Sequence, residues 1–336
     1  MKKVLFYFRG IYNGGTEMES YTLLTKLKDS YDVYFTYYDE ENSDKITIAK
    51  MESVAKYIPF NSKATFDTIV FCTQARREIE KIKEKFEYNS AYFWYHYYSE
   101  NQNAFLEMAL NGACDKVIAV SKTSKKKLEN LDFAKGKEDR IVVINNIVDV
   151  DKIKAIADEK TEYDTTPSLN LVTVARIAPE KRFDRIINIA NELERRNINY
   201  RWLIIGKVNK LNCTDYEKSI QDMFLKHKDI IFIGEKDNPF KYLKKADYSV
   251  LTSDRETWGL VITESKIVGT PCVVTNFDVV YEQIEDGKNG IILDMNNEDY
   301  ETLVQRMLDE KDTLKNNLKS FNYDIETILN KWNEIL

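Results

Sequence analysis

Two pairs of charged residues in the second half of the chain have the types and the spacing to bind an anion and hydroxyl groups. Arg176 and Lys181 flank a Pro-containing turn that follows an apolar, strand-like run. Two cations placed in this way can converge on a diphosphate, where charge-assisted hydrogen bonds are strongest. Glu256 and Glu264 follow another apolar run. A pair of carboxylates is suited to the recognition of hydroxyl groups.

The residues between the two glutamates predict the start of a helix. Gly259 marks the change from loop to helix, which places Glu256 in the loop and Glu264 on the helix. The backbone amide groups of residues 258–260 then lie at a helix N-terminus, where they can bind phosphate. Two glutamates eight residues apart are common by chance, so this pattern is informative only together with its neighbours.

The first half of the chain offers weaker candidates. Gly14 and Gly15 follow the first strand-like run and open a helix, which allows close approach of the backbone to a ligand, although a simple turn has the same pattern. His96 ends a strongly aromatic run, where it can donate a hydrogen bond or a proton, and a histidine of the core is an equal alternative. His227 is expected to lie at a solvated helix end.

Short apolar runs alternate with longer amphipathic segments along the whole chain, which predicts βα units and parallel sheets. The predicted strands comprise residues 4–8, 32–38, 68–72, 91–96, 116–121, 141–145, 171–175, 202–206, 230–234, 248–253, 271–275 and 290–294. The expected fold class is α/β, with two doubly wound halves in succession. In such sheets ligands lie outside the carboxyl ends of the strands, and the candidate loops follow strands in this way.

The composition limits the class of protein. The chain has 336 residues, with 49 Lys+Arg against 55 Asp+Glu and a net charge of −6. This length predicts two domains, and the acidic balance disfavours a dedicated nucleic-acid-binding protein. Cys72, Cys114, Cys213 and Cys272 include no C-x-x-C pair and are expected to be reduced thiols, most of them buried. The apolar run Val4–Phe8 is shorter than a signal peptide requires, so we expect a cytoplasmic protein that uses it as a buried strand.

In combination these motifs resemble the family 4 retaining glycosyltransferases. Those enzymes have the GT-B fold, two Rossmann-like doubly wound domains facing a central cleft, and they move a sugar from a nucleotide donor to an acceptor. The matching motifs are N-G-G-T-E (13–17), His96, V-I-N-N-I-V-D (143–149), A-R-I-A-P-E-K (175–181), E-T-W-G-L-V-I-T-E (256–264), G-T-P-C-V-V-T (269–275) and E-Q-I-E-D-G-K-N-G (282–290). Their joint order and spacing are specific, although each motif alone is not.

The resemblance also implies a domain organisation. Residues 1–150 would form the acceptor-side domain and residues 151–321 the domain that binds the nucleotide-sugar donor. The final helix, residues 322–336, would return to the first domain.

The resemblance implies a role for each candidate residue. Arg176 and Lys181 would hold the donor diphosphate and stabilise the charge that builds on it, while Glu256 would bind hydroxyls of the transferred sugar. His96 would lie near that sugar, from the opposite domain. The residues implied in donor binding are Gly14, Gly15, Gly206, Gly234, Thr257, Trp258, Gly259, Leu260 and Glu264, with Glu264 on the ribose hydroxyls.

The resemblance also implies a mechanism. Negative charge accumulates on the leaving diphosphate as the anomeric bond breaks, so fixed cations and a helix N-terminus stabilise the transition state and no metal or other cofactor is expected. In the family's usual picture the acceptor attacks on the face from which the diphosphate leaves. Glu256 would then position and stabilise the sugar rather than form a covalent intermediate.

Some features depart from the family pattern or leave alternatives open. Residues 276–280 replace a glycine-rich turn, which leaves the donor sugar undefined, and Ala175 replaces a more usual glycine. Asp149 and Asp151 form a D-x-D, which is the metal–diphosphate signature of the other large glycosyltransferase fold, but it occurs where this family has a linker. The alternatives are a GT-B epimerase or phosphorylase and a non-catalytic partner subunit that binds glycan or protein.

The expected partners are a nucleotide sugar, with UDP as the favoured nucleotide, and a glycan, lipid-linked or protein acceptor. No nucleic acid is expected. A cluster of basic residues at the start of a helix predicts a possible peripheral contact with the inner face of a membrane. This cluster consists of Lys122, Lys125, Lys126 and Lys127. A solvated helix face is the alternative for these lysines, and bacterial surface polysaccharide synthesis is the context that the family suggests.

Overall fold

The computed structural model describes residues 1–96, 103–163, 166–207 and 214–336. The chain divides into two compact units. Unit 1 comprises residues 1–148 together with residues 324–336, and unit 2 comprises residues 149–323.

The described residues form thirteen strands and twelve α-helices. The strands are β1 Lys3–Phe8, β2 Asp32–Tyr37, β3 Lys56–Tyr57, β4 Ala64–Phe71, β5 Phe86–Tyr95, β6 Lys116–Ala119, β7 Ile141–Val143, β8 Leu169–Val174, β9 Tyr200–Ile205, β10 Ile230–Gly234, β11 Tyr248–Leu251, β12 Cys272–Thr275 and β13 Gly290–Leu293. The helices are α1 Gly15–Leu27, α2 Lys45–Glu52, α3 Ile79–Lys85, α4 Asn103–Met108, α5 Lys122–Glu129, α6 Val150–Ala157, α7 Phe183–Arg195, α8 Asp215–Phe224, α9 Phe240–Lys245, α10 Leu260–Ile267, α11 Tyr300–Leu318 and α12 Ile325–Ile335.

Each unit is built on one parallel sheet. The sheet of unit 1 has the strand order β3-β2-β1-β4-β5-β6-β7, and the sheet of unit 2 has the order β10-β9-β8-β11-β12-β13. All neighbouring strands run parallel. Both orders are those of doubly wound α/β domains, so the expected fold class is confirmed.

All twelve predicted strands are present, because buried strands of a parallel sheet carry nearly continuous apolar runs. The run Val4–Phe8, for example, is fully buried in β1. Strand β3 was not predicted, since its two residues are too few to show a pattern. Among the described residues, no helix is both long and apolar enough to span a bilayer.

The strand order reverses once in each sheet. In unit 1 the reversal lies between β1 and β4, and in unit 2 it lies between β8 and β11. Loops that leave the carboxyl ends of these strands diverge to opposite faces of the sheet, which opens a crevice where ligands bind in this class of fold. The loop after β8 contains Arg176 and Lys181, and the loop after β11 contains Glu256.

Candidate functional site

Lys181 and Glu256 form an ion pair at the strand reversal of unit 2. Lys181 ends a short 3-10 turn after β8, and its Nζ lies 2.5 Å from Oε1 of Glu256 in the loop after β11. The same Oε1 accepts a hydrogen bond of 2.7 Å from the hydroxyl of Ser253. The two charged side chains are only 17% and 14% exposed. The geometry therefore brings together two residues that lie 75 positions apart in the sequence.

The two loops are also joined through their backbones. Thr252 Oγ1 donates a hydrogen bond of 3.0 Å to the carbonyl oxygen of Lys181, and the amide of Asp254 donates one of 2.9 Å to the carbonyl oxygen of Glu180. The buried guanidinium of Arg185 also contacts the Asp254 carboxylate, at 2.6 Å. These contacts fix the position of the Lys181–Glu256 pair before any ligand binds.

Arg176, the second predicted cation, has a different environment. Its side chain is 71% exposed and contacts only Glu180 among the described residues, with its Nη2 at 3.2 Å from Oε1. An exposed pair of this kind holds the side chain weakly. Arg176 is therefore able to reorient towards an anion, whereas Lys181 is held in place.

Helix α10 begins directly after the loop that carries Glu256. Gly259 precedes it with a φ of 83°, in the left-handed region that favours glycine, and Leu260 is its first residue. The side chain of Trp258 is buried, and its indole Nε1 donates a hydrogen bond of 3.0 Å to Thr263 Oγ1. The part of Trp258 that remains suited to a ligand is its backbone amide.

A buried hydrogen-bonded network supports this turn. Thr263 Oγ1 donates a hydrogen bond of 2.8 Å to Gln283 Oε1, and Gln283 Nε2 donates one to the carbonyl oxygen of Trp258. The ammonium of Lys266 donates to the carbonyl oxygen of Gln283 at 2.6 Å. The network thus ties the carbonyl oxygen of Trp258, in the turn, to the buried side chain of Gln283.

Glu264 lies on α10, one turn inside the helix, and is largely buried. Its carboxylate makes no hydrogen bond or ion pair with any other residue that the structure describes. Removal from water raises its pKa to about 7, from an ordinary value of 4.5. A carboxyl group that is desolvated and has no protein partner is a strong acceptor for hydroxyl groups of a ligand.

The predicted glycines of unit 2 lie at two strand ends with different constraints. Gly206 follows β9, and a Cβ at this position would lie 1.9 Å from the carbonyl oxygen of Ala175. Gly234 ends β10 with a φ of 73°, and a Cβ there would meet open space. Only the first glycine is required by close packing of two backbones.

Gly14 and Gly15 lie in unit 1, at the start of helix α1. Gly14 is the N-cap and Gly15 the first helical residue. A Cβ on Gly14 would lie 2.8 Å from Oε2 of Glu17, whose Oε1 accepts a hydrogen bond of 3.3 Å from the amide of Tyr12. The glycine thus leaves room for a buried glutamate that fixes the loop between β1 and α1.

His96 follows β5 in unit 1 and has a buried side chain, 6% exposed. Its ring centroid lies 4.4 Å from that of Trp94, and its Nδ1 lies 3.6 Å from Oε2 of Glu19 on α1. Burial lowers the pKa of His96 to about 3. The imidazole is therefore neutral at physiological pH, which leaves it able to donate a hydrogen bond but not to act as a proton donor.

The remaining predictions concern lysines, cysteines and metal ligands. The four lysines of the basic cluster lie on α5, where Lys125 contacts Glu129 at 3.5 Å. Three cysteines are buried and reduced as expected, and Cys213 lies outside the described residues.

Asp149 of the D-x-D caps helix α6 by accepting from the amide of Lys152. Within the described ranges, no three His, Cys, Asp or Glu side chains lie together so that they could hold a metal ion.

The prediction for His227 was wrong. Its side chain is buried, and its Nδ1 lies 2.8 Å from Oε1 of Glu194 on α7. The residue follows helix α8 but packs against a neighbouring helix, which the local sequence does not reveal.

Residues 153–323, half of the chain, match the family model of the glycosyl transferases group 1. This range contains the Lys181–Glu256 pair, Arg176, the start of α10 and Glu264. The chain belongs to this family. A 41.2 kDa protein in the cps region of Klebsiella pneumoniae is 24% identical over 210 residues, which cover 60% of this chain and 54% of that protein. The chain thus matches about half the length of this curated relative.

Solved structures share the fold over nearly the whole chain. The Anabaena protein HepE, in complex with UDP and glucose, superposes with a TM-score of 0.78 at 17% identity, over 99% of both chains. The lipopolysaccharide outer core galactosyltransferase WaaB superposes with a TM-score of 0.69 at 16% identity, over 98% of both chains. These matches establish the two-domain α/β architecture of the GT-B fold for this member of the family.

Residues that support the site were missed by the sequence analysis. Ser253, which holds Glu256, ends the apolar run 248–253, and its position directly before the loop was a usable signal. Glu19 is 2% exposed and accepts a hydrogen bond of 3.2 Å from the amide of Ile147. Nothing in the local sequence marks Glu19, because both of its neighbours come from distant parts of the chain.

Proposed function

We propose that this protein is a retaining glycosyltransferase that moves a hexosyl group from a UDP-sugar to a glycan, lipid-linked or protein-linked acceptor. The observation that carries the proposal is the Lys181–Glu256 ion pair, fixed beside the start of α10 at the strand reversal of unit 2. It combines a cation for a diphosphate, a carboxylate for sugar hydroxyls and a helix N-terminus for phosphate in a single crevice. Membership of the glycosyl transferases group 1 family supports the same assignment.

Lys181 and Arg176 stabilise the leaving diphosphate in this proposal. Charge develops on the diphosphate oxygen as the anomeric bond breaks, and cations fixed in a protein stabilise that charge more than the ground state. Lys181 is already in place, and Arg176 swings in from its exposed position. The amide groups at the start of α10 contribute to the same effect.

Glu264 binds the ribose hydroxyls of the nucleotide, and Glu256 binds hydroxyls of the transferred sugar. The state of Glu264 supports its role, since a desolvated carboxylate gains most from new hydrogen bonds. The Lys181 ammonium and the Ser253 hydroxyl both donate to one oxygen of Glu256. A carboxylate held in this way is a weak nucleophile, which supports a stabilising role rather than the formation of a covalent intermediate.

The transfer is proposed to proceed without a metal ion, because the protein's own cations supply the charge that the diphosphate needs. Undiminished turnover in EDTA would support this, and loss of turnover that Mg²⁺ restores would contradict it. The anomeric configuration of the product, read by NMR, tests retention separately.

The proposed context is bacterial surface polysaccharide synthesis. The relative from the cps region of Klebsiella pneumoniae and the fold shared with a lipopolysaccharide outer core galactosyltransferase support this context. Peripheral membrane contact through α5 is part of the proposal, because the exposed Lys122 and Lys126 present positive charge on one helix. Co-sedimentation with liposomes that does not depend on anionic lipid would contradict the membrane contact.

Titration with UDP by calorimetry tests the central proposal. We expect UDP to bind and both Arg176→Ala and Lys181→Ala to weaken it. Absence of UDP binding would refute a UDP-sugar donor. Absence of binding by every other nucleoside diphosphate as well would refute the enzyme and leave a partner subunit that binds glycan or protein. If UDP binds, mass spectrometry with a panel of nucleotide sugars identifies the donor, and interconversion of free nucleotide sugars would indicate an epimerase instead.

A further inference from the structure

A second pocket lies at the strand reversal of unit 1. Its volume is about 370 Å³, and it is lined by Arg9, Gln74, Arg76, Arg77 and Glu78. Arg9 directly follows β1, and the other four residues follow β4, the neighbouring strand at the reversal. The pocket therefore occupies the crevice where this class of sheet binds ligands, and its size is that of a small-molecule site.

The pocket has an excess of positive charge. Glu78, with a side chain 6% exposed, lies 3.8 Å from Nε of Arg9 and compensates that one guanidinium. Arg76 and Arg77 are exposed, and neither forms a hydrogen bond or an ion pair with any residue in the described parts of the chain. Two guanidinium groups therefore remain uncompensated in a protein whose net charge is −6.

Hydrogen bonds fix the backbone of Arg9, one of the residues that line the pocket. The amide of Arg9 donates a hydrogen bond of 2.6 Å to Thr73 Oγ1, which ties the end of β1 to the loop after β4. The carbonyl oxygen of Arg9 accepts from the amides of Tyr38 and Asp39, at 3.2 and 2.7 Å. The backbone that carries the first arginine is thus held on both sides.

A buried polar group without a partner lies next to the pocket. The hydroxyl of Tyr7 is fully buried and has no hydrogen-bond partner among the described residues. Tyr7 lies near the end of β1, two residues before Arg9 of the pocket. Groups of this kind are rare in folded proteins and often mark a place where a ligand or a water completes the network.

We propose that this pocket binds a phosphate-bearing part of the acceptor, either a monophosphate or a diphosphate. The inference rests on the proposed transferase function and specifies the class of its acceptor. Guanidinium groups bind phosphate through paired hydrogen bonds, and three of them match the several oxygens of a phosphate better than the two of a carboxylate. The residues assigned to the donor diphosphate, Arg176 and Lys181, belong to unit 2, whereas the residues that line this pocket belong to unit 1.

The full chain can be tested with inorganic pyrophosphate as the probe, in calorimetric titrations with and without saturating UDP. We expect pyrophosphate to bind in the presence of UDP, and the double variant Arg76→Ala/Arg77→Ala to weaken that binding at least tenfold while UDP affinity changes less than twofold. The control Lys50→Ala/Lys63→Ala removes the same charge from exposed positions of unit 1 and should change neither affinity.

Unchanged pyrophosphate binding in Arg76→Ala/Arg77→Ala would overturn the proposal, and so would citrate that binds through these arginines as tightly as pyrophosphate. Failure of UDP to bind would refute the proposed transferase, whereas the pocket is judged by its arginine dependence alone, so the two failures are distinguishable.

Two sources of the phosphate are then separable. Arginine-dependent co-sedimentation with phosphatidylcholine vesicles that carry a polyprenyl diphosphate, but not with plain vesicles, indicates a lipid-linked acceptor. Arginine-dependent binding of glucose 1-phosphate without such co-sedimentation indicates a soluble sugar phosphate. If the double variant alters none of these bindings, the assignment of the pocket is wrong.

Discussion

Lys181 Nζ lies 2.5 Å from Glu256 Oε1, so the cation proposed for the diphosphate and the carboxylate proposed for the transferred sugar form one ion pair. Each residue orders the other before the donor binds. Because both side chains are largely buried, the removal of either leaves its partner in a site that disfavours an isolated charge. For variants of either residue, UDP affinity and turnover must therefore both be measured in order to separate an effect on binding from an effect on chemistry.

The first prediction concerns Glu256→Ala. We expect transfer to be abolished and UDP affinity to stay largely intact, because Glu256 contacts the sugar in the proposed complex and Lys181 remains to bind the diphosphate. Calorimetry with UDP and turnover measured by mass spectrometry check the two parts. Retained turnover would contradict the role given to Glu256.

The second prediction concerns Lys181→Ala. The loss of a charge-assisted hydrogen bond to the diphosphate should weaken UDP binding by about 1.5–3 kcal/mol. The matched control is Lys226→Ala, which removes an exposed lysine of the same unit and should leave UDP affinity unchanged. Equal UDP affinities for the two variants would show that Lys181 does not bind the diphosphate.

The sequence predicts the fold well because its signal is local. An uninterrupted apolar run predicts a buried strand such as β1. A few adjacent residues are enough to predict a loop-to-helix change such as that at Gly259. Strand β3 has only two residues, so it carries no such pattern and was missed.

The candidate site was less predictable because its contacts join distant segments. The pairing of Lys181 with Glu256 spans 75 positions and depends on the order of β8 and β11 in the sheet. The error for His227 has the same cause, since its partner Glu194 is 33 positions away on another helix. Residue types at strand ends can be predicted from sequence, but their partners require the packed structure.

The third prediction concerns the pH dependence of stability through Glu264. Burial raises its pKa to about 7 from 4.5, so its stabilising contribution is fully present below pH 4.5 and is lost as pH rises through 7. At pH 8.5 we expect the free energy of unfolding, measured in urea, to be higher for Glu264→Gln than for the natural protein, by at most about 3 kcal/mol. At pH 4.5 the free energies of unfolding of the two proteins should differ little. Identical pH profiles for the two proteins would contradict the raised pKa.

The fourth prediction concerns Glu19, which accepts from the amide of Ile147 and lies beside His96. Burial raises the pKa of Glu19 well above its usual range and so favours the protonated form, which a glutamine resembles. We expect Glu19→Gln to retain stability and Glu19→Ala to lose about 1–3 kcal/mol, because the Ile147 amide is then buried without an acceptor. Urea unfolding at pH 7 measures both, and an equal loss for the two variants would show that the hydrogen bond is not what matters.

The last prediction contrasts two glycines at neighbouring strand ends. A Cβ on Gly206 would lie 1.9 Å from the carbonyl oxygen of Ala175, so Gly206→Ala must push apart the ends of β8 and β9, at a cost of at least about 3 kcal/mol. A Cβ on Gly234 meets open space, so Gly234→Ala should lower the free energy of unfolding only through the strain of a left-handed backbone, by about 1–2 kcal/mol. Since Arg176 follows Ala175 directly, we also expect Gly206→Ala to weaken UDP binding, which Gly234→Ala should change less. Urea unfolding and UDP calorimetry on the same two variants decide the matter, because equal losses for both would show that close packing of the two strand ends does not position the cation.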